Sequence, residues 1–283
     1  MFPDQPSRTL LRSAIRRAVH QLLDNPRILN DPIVVGLVPE ASDPAIADTL
    51  DDPGAPDPKL FRFWFAMRSR FAEDRLAQAA ARGVRQYVMV GAGLDTFPWR
   101  QPEFARGMQV FAADHPASLA WTQERLRERG LRKPANLTYV PVDLEERRMP
   151  EQLAACGFEA RTASFCSVLG VTQYLDRDAI DALLGFAATL ISGSEIVFTF
   201  APPDDELDGS GISAIIHSAG RTAALGEPWK SRLRPSDLIE QLGHLGFSDT
   251  LHLTPQLAQR RYSSEWGDMP RPPSWEQLIA AIV

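Results

Sequence analysis

The sequence predicts an α/β protein with a doubly wound, mostly parallel sheet of seven strands. From about residue 83, short apolar runs alternate with helical segments, which implies right-handed crossovers between parallel strands. The first apolar run ends in a glycine-rich turn, at the edge where parallel sheets bind their ligands. The chain has 283 residues, of which 44% are hydrophobic, so it can bury one large core.

Residues 1–82 are predicted to form an N-terminal helical cap. Over residues 7–23 the apolar side chains recur at helical spacing, and Ser7 is the expected N-cap. The apolar positions are Leu11, Ile15, Val19 and Leu22, and Arg8, Arg12 and Arg16 fall on another face. Residues 39–58 are rich in proline and aspartate and predict a loop, before a second helix over residues 60–81.

Residues 83–283 are predicted to form the core, with a helical insertion at about 201–232 after the fifth strand. Apolar runs rich in β-branched and aromatic residues predict strands at 86–90, 108–114, 137–143, 163–169, 194–200, 247–253 and near 259–262. Helical spacing predicts helices at 119–130, 149–155, 177–190, 210–224 and 235–245.

Composition and charge argue against several kinds of partner. The net charge of −6 disfavours a nucleic acid, which needs a broad basic face. Cys156 and Cys166 cannot build a disulfide framework, and the histidines lack metal-ligand spacing, so no metal is expected. No segment resembles a signal peptide or is long enough to span a bilayer. We therefore expect a cytoplasmic protein, and the sequence carries no signal for its oligomeric state.

The glycine turn after the first core strand is compatible with two cofactors. Gly91, Ala92 and Gly93 form the turn, and Asp114 ends the second strand about 20 residues later, where a carboxylate can accept hydrogen bonds from ribose hydroxyls. NAD and S-adenosylmethionine (SAM) fit this arrangement equally well.

The residues after the turn favour SAM. A dinucleotide fingerprint requires a third glycine at the position of Thr96, so that the helix can point its N-terminus at a pyrophosphate. Asp95 precedes it, and its carboxylate would repel a pyrophosphate but suits the sulfonium and ammonium groups of SAM. At the end of the third strand, Asp143 can bind the adenine amino group while Leu144 covers the ring. Alternatively, Asp143 only caps the following helix.

Arg68 lies within the apolar stripe of the helix predicted at 60–81, whereas Arg70 faces the other side and can pair with Asp74. A buried guanidinium needs an anionic partner. That partner is either an acid of the protein core or a carboxylate of the ligand, for which arginine supplies a bidentate fork.

Several motifs together resemble the leucine carboxyl methyltransferase family. They are "RSRFAEDRL", "RQYVMVGAGLDTF", "VFAADHPAS", "YVPVDLEE", "LGVTQYL" and "GEPWKS", in this order. The similarity extends over nearly the whole chain and is greatest to a bacterial branch that includes polyketide carboxyl O-methyltransferases of the tetracenomycin type, which would suit natural product biosynthesis.

The resemblance implies a class I SAM-dependent methyltransferase, with a Rossmann-like sheet, a helical cap and a role for each matched residue. Arg68 would bind the SAM carboxylate, Asp114 the ribose, and Asp143 with Leu144 the adenine. The expected cofactor-binding residues are Arg68, Gly91, Ala92, Gly93, Asp95, Asp114, His115, Asp143, Leu144 and Leu169. The chain departs from the family at Ala112 and Leu169, where glutamates are usual, which leaves the cofactor assignment intact but weakens any transfer of substrate from eukaryotic members.

The expected reaction is methyl transfer to an oxygen of a small molecule, most simply a carboxylate. No Asn/Asp-Pro-Pro-aromatic sequence follows the fourth strand, which disfavours nucleic-acid and amine substrates. Tyr174 and His217 are the candidate catalytic residues, with His217 as the base if the acceptor is a hydroxyl. Trp64, Glu227 and Trp229 are expected near the acceptor. The alternatives are an NAD-dependent oxidoreductase and a SAM-binding protein without catalysis.

Overall fold

The described residues before the first strand form three helices, which we call the cap. The computed structural model describes residues 7–38, 55–266 and 270–283, so most of the loop predicted at 39–58 lies outside the described residues. The cap comprises α1 (Arg8–Leu23), α2 (Pro32–Leu37) and α3 (Pro58–Ala81). Helix α3 begins two residues earlier than predicted, because Asp57 accepts a hydrogen bond from the Leu60 amide at 2.9 Å and Pro58 suits the first helical position.

Helix α1 has the predicted extent, but its first turn differs from the prediction. Ser7 occupies the N-cap position without making a capping hydrogen bond. Its hydroxyl instead donates to Glu227 at 2.9 Å, because the helix N-terminus packs against the chain beyond residue 226. Arg16 is buried, with its guanidinium 4.5 Å from the centre of the Phe61 ring. Arg70 forms the predicted ion pair with Asp74 at 2.7 Å.

The core contains one seven-stranded sheet in the order β3-β2-β1-β4-β5-β7-β6. Its strands are β1 (Gln86–Val90), β2 (Gln109–Asp114), β3 (Leu137–Pro141), β4 (Ser164–Val168), β5 (Glu195–Phe200), β6 (Asp249–Leu253) and β7 (Gln277–Ile282). The first five strands are parallel, and β7 runs antiparallel to both of its neighbours. Strand order reverses between β1 and β4, where an open parallel sheet forms its ligand crevice.

The prediction of a last strand near 259–262 is wrong. Those residues lie in a helix, Pro255–Trp266, and the seventh strand is the apolar run at Gln277–Ile282. This run inserts between β5 and β6 and is buried on both faces, whereas the arginines at 260 and 261 suit a partly solvated helix.

Helices cover both faces of the sheet. They are α4 (Phe97–Arg100), α5 (Pro116–Glu128), α6 (Met149–Ala155), α7 (Arg177–Ala188), α8 (Gly209–Ala224), α9 (Pro235–His244) and α10 (Pro255–Trp266). The central strands are mostly apolar because both of their faces are buried. Cys166, on β4, is a reduced core residue as predicted.

The sequence predicts neither a membrane-spanning helix nor a metal site. Among the described residues, no helix is long and apolar enough to cross a bilayer. The same residues contain no cluster of three or more histidine, cysteine or acidic side chains that could hold a metal ion.

Candidate functional site

A cavity of about 390 Å³ opens at the carboxyl edge of the sheet, where β1, β2, β3 and β4 end. Its volume falls in the usual range for small-molecule and cofactor sites. All ten residues predicted to bind the cofactor line it: Arg68, Gly91, Ala92, Gly93, Asp95, Asp114, His115, Asp143, Leu144 and Leu169. The structure therefore brings the predicted set to one place, and their individual contacts with a cofactor remain predictions.

The glycine turn adopts a conformation that other residues would strain. Gly91 and Gly93 have φ angles of 69° and 52°, in the left-handed region. A Cβ at position 91 would lie 2.3 Å from a methyl carbon of Val171. Gly91 therefore allows the segment after β4 to approach the turn closely.

Asp114 is held in position by backbone hydrogen bonds. One carboxylate oxygen accepts from the Gly93 amide and the other from the His115 amide, each at 2.7 Å. Burial raises the pKa of Asp114, and these two N–H donors oppose the rise. Each oxygen keeps further lone-pair capacity on the cavity side, as a ribose acceptor requires.

Asp143 caps the short segment after β3 and also lines the cofactor cavity, and its contact with adenine remains a prediction. One oxygen accepts a hydrogen bond from the Glu145 amide at 2.9 Å and caps a short 3₁₀ turn. Its other oxygen lies 4.0 Å from Nε2 of His115, and both side chains line the cavity. His115 Nδ1 accepts from the Ala117 amide and begins α5.

Asp95 ties the glycine turn to the cap. It accepts a hydrogen bond from the Phe97 amide at 2.8 Å, and its other oxygen is 3.7 Å from Arg17. Arg17 also donates to the Leu94 carbonyl at 2.7 Å and is buried. The negative charge of Asp95 is therefore shared with the protein, a contact between α1 and the turn that the local sequence does not reveal.

Arg68 has an acid of the protein as a partner and also faces the cavity. Its Nη1 lies 3.0 Å from Glu276, just before β7, and Glu276 also accepts from the Trp64 indole. The guanidinium lies 4.0 Å from the centre of the Phe65 ring. Trp64 is buried behind this pair and lines neither cavity, contrary to its predicted place near the acceptor.

A second, smaller cavity of about 90 Å³ adjoins the first. Six residues line both cavities and define their junction: Thr9, Ser13, Phe65, Arg68, Gly170 and Tyr174. His217 and Trp229 line the second cavity, whereas Glu227 lines the first. Burial raises the pKa of Tyr174, so its phenol is neutral at physiological pH.

The start of α1 and the segment after α8 together cover the cofactor cavity. Glu227 accepts hydrogen bonds from the hydroxyls of Ser7 and Thr9, at 2.9 and 2.8 Å. Lys230 pairs with Glu145, and its amide donates to the Gln173 carbonyl at 2.7 Å. Sequence reasoning missed Thr9, Ser13 and Gln173, because hydroxyl and amide side chains are common on helices and turns and carry no spacing signal.

Gly170 lies directly against Arg68, which gives a test of the junction. Its φ is 73°, and a Cβ there would lie 2.8 Å from Nη1 of Arg68. We expect Gly170→Ala to lower the free energy of unfolding and also to weaken cofactor binding by displacing the guanidinium. Gly193→Ala is the matched control, since its φ is 88° but nothing lies within 4 Å of a Cβ there.

In both variants, placing alanine in a left-handed backbone conformation should lower the free energy of unfolding by about 1–2 kcal/mol. Only Gly170→Ala should change cofactor affinity, which calorimetric titration measures. Equal affinities in the two variants would show that the place of Arg68 does not matter for the cofactor.

Comparison with known proteins identifies the family. The model of the family described as leucine carboxyl methyltransferase matches residues 10–188. A Bacillus subtilis (strain 168) protein, named provisionally as an S-adenosyl-L-methionine-dependent methyltransferase, is 32% identical over 282 residues, covering 90% of each chain.

The chain belongs to the leucine carboxyl methyltransferase family.

Further comparisons agree with this membership. A Mycobacterium avium (strain 104) protein with the same provisional name is 34% identical over 187 residues, covering 62% of this chain and 58% of its own. A crystal structure from Thermobifida fusca, titled provisionally as a methyltransferase, superposes with a TM-score of 0.57 at 15% identity, over 99% of this chain and 95% of the other. A Streptomyces avermitilis protein gives 0.55 at 16% identity, over 94% and 96%. These two structures show the shared fold.

For this leucine carboxyl methyltransferase family member the cofactor is SAM, and the protein is a SAM-dependent methyltransferase. The NAD alternative is thereby set aside, as the Asp95-Thr96 pair predicts. The site also fits the cofactor chemically. The cavity offers carboxylates at the turn and strand ends, an arginine at the junction and apolar cover from Leu10 and Leu144.

Proposed function

We propose that the protein transfers the methyl group of SAM to a carboxylate oxygen of a small molecule and forms a methyl ester. The observation that carries this proposal is the make-up of the junction between the two cavities. Its side chains are two hydroxyls, a phenyl ring, a guanidinium and a phenol, at Thr9, Ser13, Phe65, Arg68 and Tyr174.

None of these junction side chains is a base at neutral pH. Because burial raises the pKa of Tyr174, that phenol holds its proton. A hydroxyl acceptor would have to lose a proton during the reaction, whereas a carboxylate is already ionised. The junction therefore favours a nucleophile that needs no base.

When bound, SAM supplies a methyl group on a cationic sulfur. Transfer to a carboxylate oxygen would form an oxygen–carbon bond as the carbon–sulfur bond breaks, would leave that bond's electron pair on sulfur, and would need no proton to move. What the chain contributes is position and exclusion of water. Asp114 and Asp143 would hold the nucleoside, Arg68 would orient carboxylate groups at the junction, and Phe65 would keep water away.

The chemical stability of the product tests this proposal. With methyl-labelled SAM and a set of small organic acids, we expect label that is released as methanol under mild base, as methyl esters allow. The rate should stay nearly constant from about pH 6 to 9, because a carboxylate is ionised over that whole range. A base-stable product would contradict the proposal and favour a hydroxyl acceptor with His217 as the base.

A further inference from the structure

Two helices each place a pair of basic side chains on the second cavity. Arg12 and Arg16 are one helical turn apart on α1, and His217 and Arg221 are one turn apart on α8. Both pairs are spaced i, i+4, so each places two side chains on the same helix face, toward the same cavity. Each of the four has other contacts in the protein as well. Their common feature is that they line this cavity together.

The cation of Arg16 is fixed rather than adaptable. Its guanidinium lies 4.5 Å from the centre of the Phe61 ring and 4.7 Å from that of Phe65. Phe61 in turn stacks on Trp275, with ring centres 4.5 Å apart. Stacking between aromatic rings pre-organises an arginine fork and reduces the entropy lost when it binds a planar anion.

One polar group on the same cavity has no hydrogen-bond partner in the described part of the protein. It is Oε1 of Gln173, a residue with 6% of its surface exposed. A buried acceptor without a partner is costly, and such groups are often satisfied by a ligand. The Gln173 amide can rotate to donate its NH₂ to an anion oxygen, and the Trp229 indole, whose N–H lies within hydrogen-bonding reach of the Tyr174 phenol, lines the same cavity.

Four arginines line the cavity. Among the described lining residues the acid is Glu276, which pairs with Arg68 at the junction. Arg12, Arg16 and Arg221 line the same cavity as the aromatic side chains of Phe61, Phe65 and Trp275. This combination suits an anionic group on an aromatic ring, at a place separate from the reacting carboxylate.

We propose that the methyl acceptor is a small aromatic dicarboxylic acid, with one carboxylate methylated at the junction and the second bound by Arg12, Arg16 and Arg221. This inference rests on the proposed methyl transfer to a carboxylate. The ring and the second carboxylate would lie in the cavity of about 90 Å³ beside the junction.

A panel of matched acids tests the proposal on the full-length protein. Benzoate is compared with the three benzenedicarboxylates, phthalate, isophthalate and terephthalate, using labelled SAM and counting base-labile methyl ester. We expect at least one dicarboxylate to be monomethylated with a kcat/KM roughly tenfold or more above that of benzoate, as a charged hydrogen bond to the second carboxylate predicts.

We expect the arginines of the second cavity to cause the preference for a dicarboxylate over benzoate. Arg221 is exposed on α8, so Arg221→Gln should fold normally, and it should bring the dicarboxylate-to-benzoate ratio close to one by raising KM for the dicarboxylate. Arg221→Lys should restore part of the ratio. Arg127→Gln is the control, because Arg127 is an exposed arginine on α5 that pairs with Glu124 in its own helix. Binding of the preferred dicarboxylate to the protein with S-adenosylhomocysteine is measured in parallel by calorimetry.

The outcomes separate the two proposals. If benzoate and the dicarboxylates become methyl esters equally well, and Arg221→Gln has no effect, the second anion site is wrong and the carboxylate reaction stands. If no acid is methylated but a dicarboxylate binds and Arg221→Gln weakens it tenfold, the anion site stands and the reaction is wrong. If no acid is methylated or bound, both are wrong.

Discussion

Replacing Asp114 with asparagine is expected to weaken SAM binding by about 100-fold. The carboxylate is held by the amides of Gly93 and His115 at 2.7 Å and faces the cofactor cavity. We expect it to accept hydrogen bonds from two ribose hydroxyls, and a charged hydrogen bond contributes roughly 1.5–3 kcal/mol. The loss of two such bonds amounts to about 3 kcal/mol or more, which is a factor of about 100 in the dissociation constant. Calorimetric titration with SAM measures it.

Asp143→Asn is the matched comparison for Asp114→Asn. Asp143 is more exposed and is expected to make one contact, to the adenine amino group, so its loss should cost about tenfold or less. Thermal unfolding without cofactor shows whether each variant is folded. An unchanged affinity in a folded Asp114→Asn protein would mean that the ribose is bound by other residues.

Replacing Arg68 with methionine is expected to damage both stability and cofactor binding. Methionine keeps the apolar stem on Phe65 but leaves Glu276 buried without its cation. Breaking a buried ion pair from one side typically costs about 3–5 kcal/mol. If Arg68 also binds the SAM carboxylate, affinity should fall by at least tenfold. Chemical denaturation and SAM titration measure the two effects.

A second substitution separates the two roles of Arg68. In Arg68→Met with Glu276→Gln, the stranded charge is gone, while the glutamine can still accept the hydrogen bond of the Trp64 indole. Stability should recover in large part, whereas SAM affinity should stay low. Recovery of both would show that Arg68 serves the fold alone and that the family's carboxylate-binding role does not apply to this chain.

The parts of the site that the sequence predicted well are those made by short, continuous segments. The turn at Gly91 and Gly93 and the acid at Asp114 follow directly from strand ends, and the sheet places successive strand ends together. The two residues that favour SAM over NAD, Asp95 and Thr96, also lie next to each other in such a segment. Backbone conformation and helix N-termini are local properties, so local sequence reports them.

The last strand was mispredicted because strand pairing is not local. Residues 259–262 alternate too briefly to separate a strand from a helix, and they lie in α10. The run Gln277–Ile282 forms a strand because it pairs with β5 on one side and β6 on the other, in a buried position that suits an apolar segment. Nothing in the run itself says which neighbours it will pair with.

By itself, the sequence determined the fold class, the cofactor turn and the acids around it, since these depend on residues near one another in the chain. Only the tertiary structure decided the partner of Arg68, which is Glu276, more than 200 positions away. It also placed the arginines of α1 and α8 around one cavity. Helical spacing shows which side chains share a face, but it does not show what that face meets. The residues that a helix face contacts are determined when distant elements pack together, because burial and charge pairing depend on the whole core.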